Sequence, residues 1–195
     1  MDIDHFLANR VRELRKARGQ TLEQLAELSG VSRSMISLIE RQETSPTAAV
    51  LNKLADAFGL SLPALFAGDA QQAGPEPVSR RAAQAVWTDP ASAYVRRHLS
   101  PAGVESPIEL VEVHFPPGET VVFDNPVRRV GIQQQLWVLA GEMVVSLDDA
   151  TWHLATGDCM AMALAARITF HNPGLQAARY LLALSSAADL SRRFP

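Results

Sequence analysis

Four polar side chains with the chemistry for contacting DNA occur at helical spacing in the segment RSMISLIER. They are Arg33, Ser34, Ser37 and Arg41. Guanidinium groups donate to base edges and to phosphates, and hydroxyl groups bond to either. The buried stripe of the same segment is expected to be Ile36 and Ile39, at positions i and i+3, so that the four polar residues face outward. Arg33, in the first turn, is the best candidate for a base contact.

Two short helices joined by a tight turn would position this segment. Thr21 is a good N-cap, and Gln24 three residues later completes a capping box, so a first helix is predicted to begin there. Gly30 should end it, and Ser32 should cap the second helix, which carries the four polar residues. This is helix-turn-helix geometry, although an ordinary helical hairpin that never touches DNA has the same pattern.

Three further helices are predicted around this pair, at residues 6–16, 47–58 and 61–66, from apolar residues at helical spacing. Together they give an N-terminal five-helix domain over residues 1–68. The stretch AGDAQQAGPEPV has no hydrophobic periodicity and two prolines, which is linker composition. We therefore expect a linker at residues 69–79 and a second domain at residues 80–195.

The N-terminal residues resemble the Cro/phage-repressor family, often called XRE, over roughly residues 6 to 68. The specific motifs are LAELSGVSRSMISLIERQ, then SPT, then LADAFGLSLPALF. The resemblance implies that the recognition-helix contacts are Arg33, Ser34 and Ser37. It also implies that Thr21, Ser32 and Arg41 lie near the phosphate backbone. Leu22 and Gln42 depart from the family pattern, where a phosphate-contacting Gln and a Gly are usual.

Charge does not favour an indiscriminate nucleic-acid binder. Residues 1–68 contain eight Lys and Arg against eight Asp and Glu, and the formal net charge of the whole chain is −3. Five of those cations fall in or just after the first predicted helix: Arg10, Arg12, Arg15, Lys16 and Arg18. They form either a local phosphate-binding patch or an ordinary solvated helix face.

The 195-residue chain has neither an apolar run of 18 residues nor a signal-like N-terminus, so a cytoplasmic protein is expected. Its one cysteine, Cys159, cannot form an internal disulfide and lies in an apolar stretch. We expect it to be a small buried hydrophobic residue and not a redox sensor.

Beyond the linker, the sequence changes to short β-like runs separated by turn residues such as Pro116-Pro117-Gly118 and Asn172-Pro173-Gly174. The predicted strands are residues 108–115, 120–123, 135–139, 143–147, 152–154, 159–164, 167–171 and 178–185. Strands recurring every ~8 to 12 residues indicate a sandwich or barrel. The predicted fold class is thus multi-domain, α plus all-β, with a small C-terminal jelly-roll barrel.

The motifs PPGET, LWVLAGEMVVSL, LATGDCMAM and FHNPG resemble the double-stranded β-helix of cupins, over roughly residues 105 to 186. Metal-binding cupins carry a His pair, a Glu and a third His. The corresponding positions in this sequence are Arg128, Val130, Gln134 and Ile168. Because the ligands that hold a catalytic metal are missing, we expect no metal, no other cofactor and no enzymatic activity.

Three residues at or beside the vacated metal position suggest a different kind of site: Arg128, Gln134 and Trp137. A guanidinium can grip a carboxylate with two hydrogen bonds, while an amide and an aromatic wall complete a typical small-molecule pocket. An organic anion is the expected effector. The alternative is that Arg128 lies in a solvated loop and Trp137 in an ordinary core.

An XRE reader followed by a cupin sensor resembles a widespread class of bacterial one-component transcription regulators, which are generally homodimers paired through the cupin domain. We therefore expect a DNA-binding transcriptional repressor whose β domain binds a small-molecule effector and dimerises. Two alternatives stay open. One is a cupin-type metal-dependent enzyme that carries a DNA-binding domain, and the other is an antitoxin-like or adapter protein.

Overall fold

The structure of this chain is a computed structural model that describes residues 3–66, 76–104, 106–124, 132–163 and 167–186. The N-terminal part folds into five helices. They are α1 Ile3–Ala17, α2 Leu22–Ser29, α3 Arg33–Glu40, α4 Ala48–Ala57 and α5 Leu62–Phe66. The N-terminal five-helix domain expected from the sequence is confirmed.

The caps read from the sequence are formed. Thr21 Oγ1 accepts a hydrogen bond from the Gln24 amide at 3.2 Å, and the Gln24 side chain accepts one from the Thr21 amide at 2.8 Å. Gly30 ends α2 in the left-handed region at φ +66°, where a residue with a Cβ is strained. Ser32 caps α3 by accepting from the Met35 amide at 3.2 Å. Turn and caps therefore fix α3 against α2.

Apolar residues from all five helices share one core, which fixes α3 on its inner face. The fully buried members include Leu7, Leu25, Ile36, Leu51 and Leu65. Ile36 and Ile39 are the buried stripe of α3, as predicted. Most of the helical stability comes from this packing, because helices of eight residues are marginal alone.

Three of the five clustered cations make contacts within the helical domain, and a role for the cluster at phosphates stays a prediction. Arg15 makes a bidentate contact with the buried Glu40 of α3, at 2.6 and 2.8 Å, and Arg12 donates to the Glu40 carbonyl. Arg18 donates to the carbonyl of Phe58 at 2.7 Å and lies over its ring. These contacts hold helices together, and Arg15 anchors the C-terminal end of α3.

The β domain consists of ten strands in two antiparallel sheets, preceded by a 3₁₀ turn at Arg81–Ala83. The six-stranded sheet has the order β1-β2-β3-β10-β5-β8, and the four-stranded sheet has the order β4-β9-β6-β7. In chain order the strands are β1 Val86–Thr88, β2 Val95–His98, β3 Glu109–Phe115, β4 Thr120–Asp124, β5 Ile132–Ala140, β6 Glu142–Leu147, β7 Ala150–Ala155, β8 Cys159–Ala163, β9 Arg167–His171 and β10 Ala178–Ser186.

This two-sheet arrangement confirms the expected cupin-like jelly roll. The eight predicted strands are present to within a few residues at their ends, and β1 and β2 are additional. Alternate residues of each strand point between the sheets, where Phe115, Leu136, Val145 and Phe170 are buried. Asn172, wholly buried, donates from Nδ2 to the carbonyls of Phe115, Pro116 and Gln176 and so locks the turn before β10.

The two domains are joined by specific polar contacts. The buried carboxylate of Asp89, just after β1, accepts the amide hydrogen of Ala48 at the start of α4, at 2.8 Å. Ser61, which precedes α5, donates to Glu109 Oε2 of β3 at 2.5 Å. The negative charge of Asp89 thus lies at the N-terminus of α4, where the helix dipole stabilises it.

Aromatic packing at the end of α5 extends the same contact. The ring of Phe66 packs against Trp87 of β1 with centroids 5.8 Å apart, and against His98 of β2 at 4.5 Å. The five-helix domain is therefore docked on the β domain through α4 and α5. Most of the predicted linker, residues 69–79, lies outside the described residues.

Candidate DNA-binding surface and ligand cavity

The outer face of α3 carries the predicted base-contacting residues. Arg33 and Ser34 are exposed in its first turn, and Ser37 follows one turn later, half-buried. The three side chains share one side of the helix because residues three and four apart are neighbours on a helix surface. A protruding helix with donors and hydroxyls at its N-terminal end has the geometry of a major-groove reader.

In this structure the Arg33 side chain is already engaged in an ion pair. Its guanidinium donates to the carboxylate of Glu23 in α2, and both side chains remain 62% exposed. A backbone hydrogen bond and the contact with Arg33 hold the pKa of Glu23 below its ordinary value. Arg33 must exchange this carboxylate for a base or phosphate when it contacts DNA.

The residues expected near the phosphate backbone border the same surface. Thr21 and Ser32 are exposed, and each hydroxyl oxygen accepts an amide of its own helix. The Ser32 hydroxyl also lies 3.1 Å from that of Ser34, and the Thr21 hydroxyl interacts with the Glu23 carboxylate. Arg41 contacts Glu43 at 2.7 and 2.8 Å and donates to Ser37 Oγ at 3.0 Å. Arg41 and Ser37 therefore form one hydrogen-bonded unit at the end of α3.

A second feature is a cavity between the two β-sheets, closed on one side by the helical domain. The β domain contributes mainly aromatic and aliphatic walls: Phe115, Phe123, Ile132, Ile168, Phe170, Leu182 and Leu184. The helical domain contributes Asn52 of α4 and Leu62 and Pro63 of α5. The cavity is thus lined by residues of both domains.

Besides Asn52 of the helical domain, four polar side chains of the β domain interrupt the apolar lining: Tyr94, Arg96, Gln134 and Tyr180. Arg96 is 5% exposed, and its Nε makes no hydrogen bond. No carboxylate among the described residues lies within 4.0 Å of its side-chain nitrogens. Tyr94 Oη and Gln134 Nε2 are also buried without a hydrogen-bond partner. A buried cation and two polar atoms are therefore left unsatisfied at one cavity.

The titratable side chains Tyr94, Tyr180 and His98 give Arg96 no anionic partner, although the Tyr94 hydroxyl interacts with its guanidinium. Burial raises the pKa of the Tyr94 phenol, against the smaller opposing effect of the Arg96 guanidinium, and burial also raises the pKa of Tyr180. Burial lowers the pKa of the nearby His98 to about 3, with Arg96 adding to the effect. Both phenols and the imidazole are accordingly neutral near pH 7, and Arg96 is the charged group among them.

Of the effector-binding residues predicted from the sequence, Gln134 lies in the cavity and Trp137 lies outside it. Gln134 lines the cavity from β5, while Arg128 lies outside the described residues. Trp137 was expected to form an aromatic wall beside Gln134, and this is wrong: it is 48% exposed on the outer face of β5. Residues three apart in a strand point to opposite faces, so Gln134 and Trp137 cannot line the same cavity.

Arg96 itself was missed by the sequence reasoning. It lies in β2, whose sequence VRRH reads as polar and was not predicted to be a strand. The available signal was the alternation of Tyr94, Arg96 and His98, which puts an aromatic, a cation and an imidazole at every second position. Cys159, expected to be buried, is instead exposed on the outer face of β8.

Over the described part of the chain, no three His, Cys, Asp or Glu side chains come together in a way that could hold a metal ion. Within the same residues, no helix is long and apolar enough to cross a membrane.

Known proteins that are similar in sequence to this chain include helix-turn-helix proteins. Residues 11–65 match the helix-turn-helix family model HTH_3. The chain is 27% identical over 180 residues to the HTH-type transcriptional regulator SutR of Escherichia coli (strain K12), covering 92% of this chain and 94% of that protein. It is 43% identical over 66 residues to the control protein C.SmaI of Serratia marcescens, covering 34% of this chain and 79% of that one.

Among solved structures, the chain is similar to an HTH_3 family transcriptional regulator from Vibrio cholerae, with a TM-score of 0.75 and 27% identity, covering 94% of this chain and 96% of that chain. Five helices with an exposed reader and a cupin-like β domain together define an HTH-type transcriptional regulator that binds DNA through its helical domain. The chain belongs to the HTH_3 helix-turn-helix family.

Proposed function

We propose that this regulator binds a specific operator as a homodimer, represses transcription there, and responds to a small-molecule effector held in its β domain. The observation that carries the proposal is the exposed first turn of α3, with Arg33 and Ser34 on its outer side. In this proposal Arg33, Ser34 and Ser37 contact bases. Thr21, Ser32 and Arg41 contact phosphates.

The reader is tested by fluorescence anisotropy on a duplex selected by the wild-type protein from a random library, at fixed salt and with excess non-specific DNA. Replacing Arg33 with Ala should weaken specific binding by ~1 to 3 kcal/mol and relax the base preference at one position. The matched control is Lys16→Ala, an exposed cation of α1. Equal losses in the two variants would mean that Arg33 supplies charge only and reads no base.

Dimerisation follows from the size of the reader. A single module of this kind buries ~600 to 1,000 Å² on DNA, which seldom supplies operator affinity without a second half-site. The outer face of the six-stranded sheet offers a surface for pairing with a second copy. There the exposed Trp137 lies in register between Leu181 of β10 and Cys159 of β8. Burying such an aromatic is favourable at an interface.

Light scattering and thiol labelling test this face together, because Cys159 is the single cysteine of the chain and reports on the residues beside it. Trp137→Arg should give a monomer that binds the selected duplex weakly and whose thiol reacts faster with Ellman's reagent. Trp152→Arg, at a similarly exposed tryptophan of β7, is the control and should remain dimeric. A Trp137→Arg protein that stays dimeric would rule out this face.

The effector role rests on the cavity between the sheets, to which Gln134 contributes. Arg128, the other basic candidate, remains a proposed ligand contact. An effector changes operator affinity only through its differential affinity for two states of the protein, and couplings of this kind typically amount to 1 to 3 kcal/mol, or five- to 150-fold. A reporter gene behind the selected operator gives the sign: deletion of the regulator should raise expression if it represses.

A further inference from the structure

The three unsatisfied groups of the cavity share one chemical preference. Arg96 Nε and Gln134 Nε2 are hydrogen-bond donors, and Tyr94 Oη carries a hydroxyl hydrogen. All three line the same cavity. Buried polar groups in native proteins are normally satisfied, so donors left open around a space call for an acceptor that occupies it.

The charge of the site limits the acceptor to a monoanion. An unpaired buried guanidinium is costly, and an anion that pairs with it removes that cost. Arg96 is the one cation lining the cavity within the described residues, and its two polar neighbours are neutral. A dianion would leave one negative charge uncompensated. A carboxylate fits, because its two oxygens match the fork of a guanidinium and can also accept from Tyr94 and Gln134.

The remaining walls indicate what is attached to the carboxylate. They are phenyl, isobutyl and sec-butyl groups from Phe115, Phe123, Ile168, Phe170 and Leu182. These walls favour an alkyl or aryl body over a sugar or a polyamine, whose polar groups would be buried without partners.

The small volume of the cavity limits the length of the ligand that fits without moving the helical domain. The cavity has a volume of about 40 Å³. This is room for about three or four water molecules at ~10 to 15 Å³ each. That volume accommodates a carboxylate with a very short chain. A longer ligand needs a wall to move. The side formed by Asn52, Leu62 and Pro63 belongs to a separate domain, whereas the other walls are held in hydrogen-bonded sheets.

We propose that Arg96, Tyr94 and Gln134 bind the carboxylate of a small apolar monocarboxylic acid, and that acids too long for this cavity displace α4 and α5, and with them the reader, from the β domain. The binding site stands on the cavity alone. Its effect on DNA rests on the effector-responsive function proposed above.

Binding is tested on the full chain with a series of straight-chain carboxylates from acetate to octanoate, each beside its neutral primary amide, at fixed pH and ionic strength. Calorimetric titration should show binding of the acids and not of the amides. Arg96→Met should weaken the binding of hexanoate by at least ~30-fold, the scale for losing one partner of a buried charge pair. Arg97→Met is the control, since Arg97 follows Arg96 in β2 but pairs with Glu112 and does not line the cavity.

The ligand-free variants separate binding from a structural role. Arg96→Met removes an uncompensated buried charge and should melt at or above the wild-type temperature without ligand. Amides that bind as well as acids, or hexanoate binding that survives Arg96→Met, would overturn the site. A ligand-free Arg96→Met protein that melts well below wild type would point to a structural arginine instead.

The displacement is tested by hydrogen–deuterium exchange over α4 and α5. Hexanoate and octanoate should speed exchange there and acetate should not, and Arg96→Met should abolish the effect. Unchanged or slower exchange with octanoate bound would overturn the displacement. The same ligands are then added to the DNA titration. Binding without any change in operator affinity would leave the site standing and refute the effector function, whereas failure of all binding would refute the site.

Discussion

Asp89 is the residue on which the docking of the two domains most directly depends, and Asp89→Ala measures that dependence. Its buried carboxylate accepts the Ala48 amide of α4 at 2.8 Å, the Ser92 amide at 2.8 Å and the Ser92 hydroxyl at 2.6 Å. Two of these bonds stay inside the β domain and one crosses to the helices. Ser92→Ala removes only the internal bond from the Ser92 hydroxyl, so the difference between the two variants contains the crossing bond to Ala48 together with the internal bond from the Ser92 amide.

The magnitude follows from the burial of Ala48, which is 1% exposed. Leaving its amide without an acceptor costs about 1 to 3 kcal/mol. Losing a negative charge at the N-terminus of α4 adds about 0.3 to 1 kcal/mol. These two contributions predict that Asp89→Ala unfolds about 1 to 4 kcal/mol more easily than Ser92→Ala, and the acceptor lost by the Ser92 amide adds to the difference. This corresponds to a Tm lower by roughly 3 to 15 °C or more for a chain of this length.

Differential scanning calorimetry is the appropriate assay, because it also shows whether one transition divides into two when the domains separate. Asp89→Asn is the companion variant. It keeps an oxygen acceptor for Ala48 but loses the charge and replaces the oxygen that accepts from Ser92 with an NH2 donor, so its stability should lie between those of Asp89→Ala and the wild type. The reasoning is refuted if Asp89→Ala and Ser92→Ala melt together, since the crossing bond would then contribute nothing measurable.

Two further predictions concern the reader and the cavity. Glu23→Gln frees Arg33 from its carboxylate and removes a negative charge beside the DNA, so affinity for the selected duplex should rise a few-fold in anisotropy titrations; unchanged or weaker binding would contradict the proposed exchange of partners. His98 has its pKa lowered to about 3 by burial and by Arg96, against 6.5 in the unfolded chain. Between these values the unfolded chain binds more protons, so the free energy of unfolding should fall as the pH falls, by up to about 1.4 kcal/mol per pH unit. Urea unfolding between pH 6.5 and 5 should show this slope, and His98→Gln should flatten it; equal slopes would mean that His98 is not buried as a neutral ring.

The helical domain was predictable because its signals are local. Thr21 with Gln24, Gly30 and Ser32 each determine a cap within three or four residues, and the structure forms every one of these caps. The contacts of the α1 arginines depend on partners that are distant in the sequence. Arg15 is paired with Glu40, 25 residues away, and its sequence neighbourhood says nothing about that partner.

The cavity was harder to predict, for two physical reasons. The face on which a strand residue lies can be read from the sequence, because successive residues point to opposite faces. Gln134 and Trp137 are three residues apart in β5, so their side chains lie on opposite faces of the sheet. The inward position of Arg96 depends instead on how β2 pairs with β3, where Arg96 is opposite Val113. That register connects residues 17 apart and is set by the whole sheet, so the alternation of Tyr94, Arg96 and His98 could indicate that they share a face but not that this face points into the barrel.

Because α4 and α5 are docked through Asp89, Glu109 and Trp87, the practical unit for engineering does not end at the linker. A chimera that joins the reader of this chain to another sensor at residues 69–79 would carry Ala48, Ser61 and Phe66 away from their partners. Such a hybrid should bind DNA and ignore the grafted sensor's ligand. A chimera that keeps the ligand response would need the matching residues after β1 and in β3 to be moved together with the helices. The two domains can therefore be exchanged only together with their contact residues.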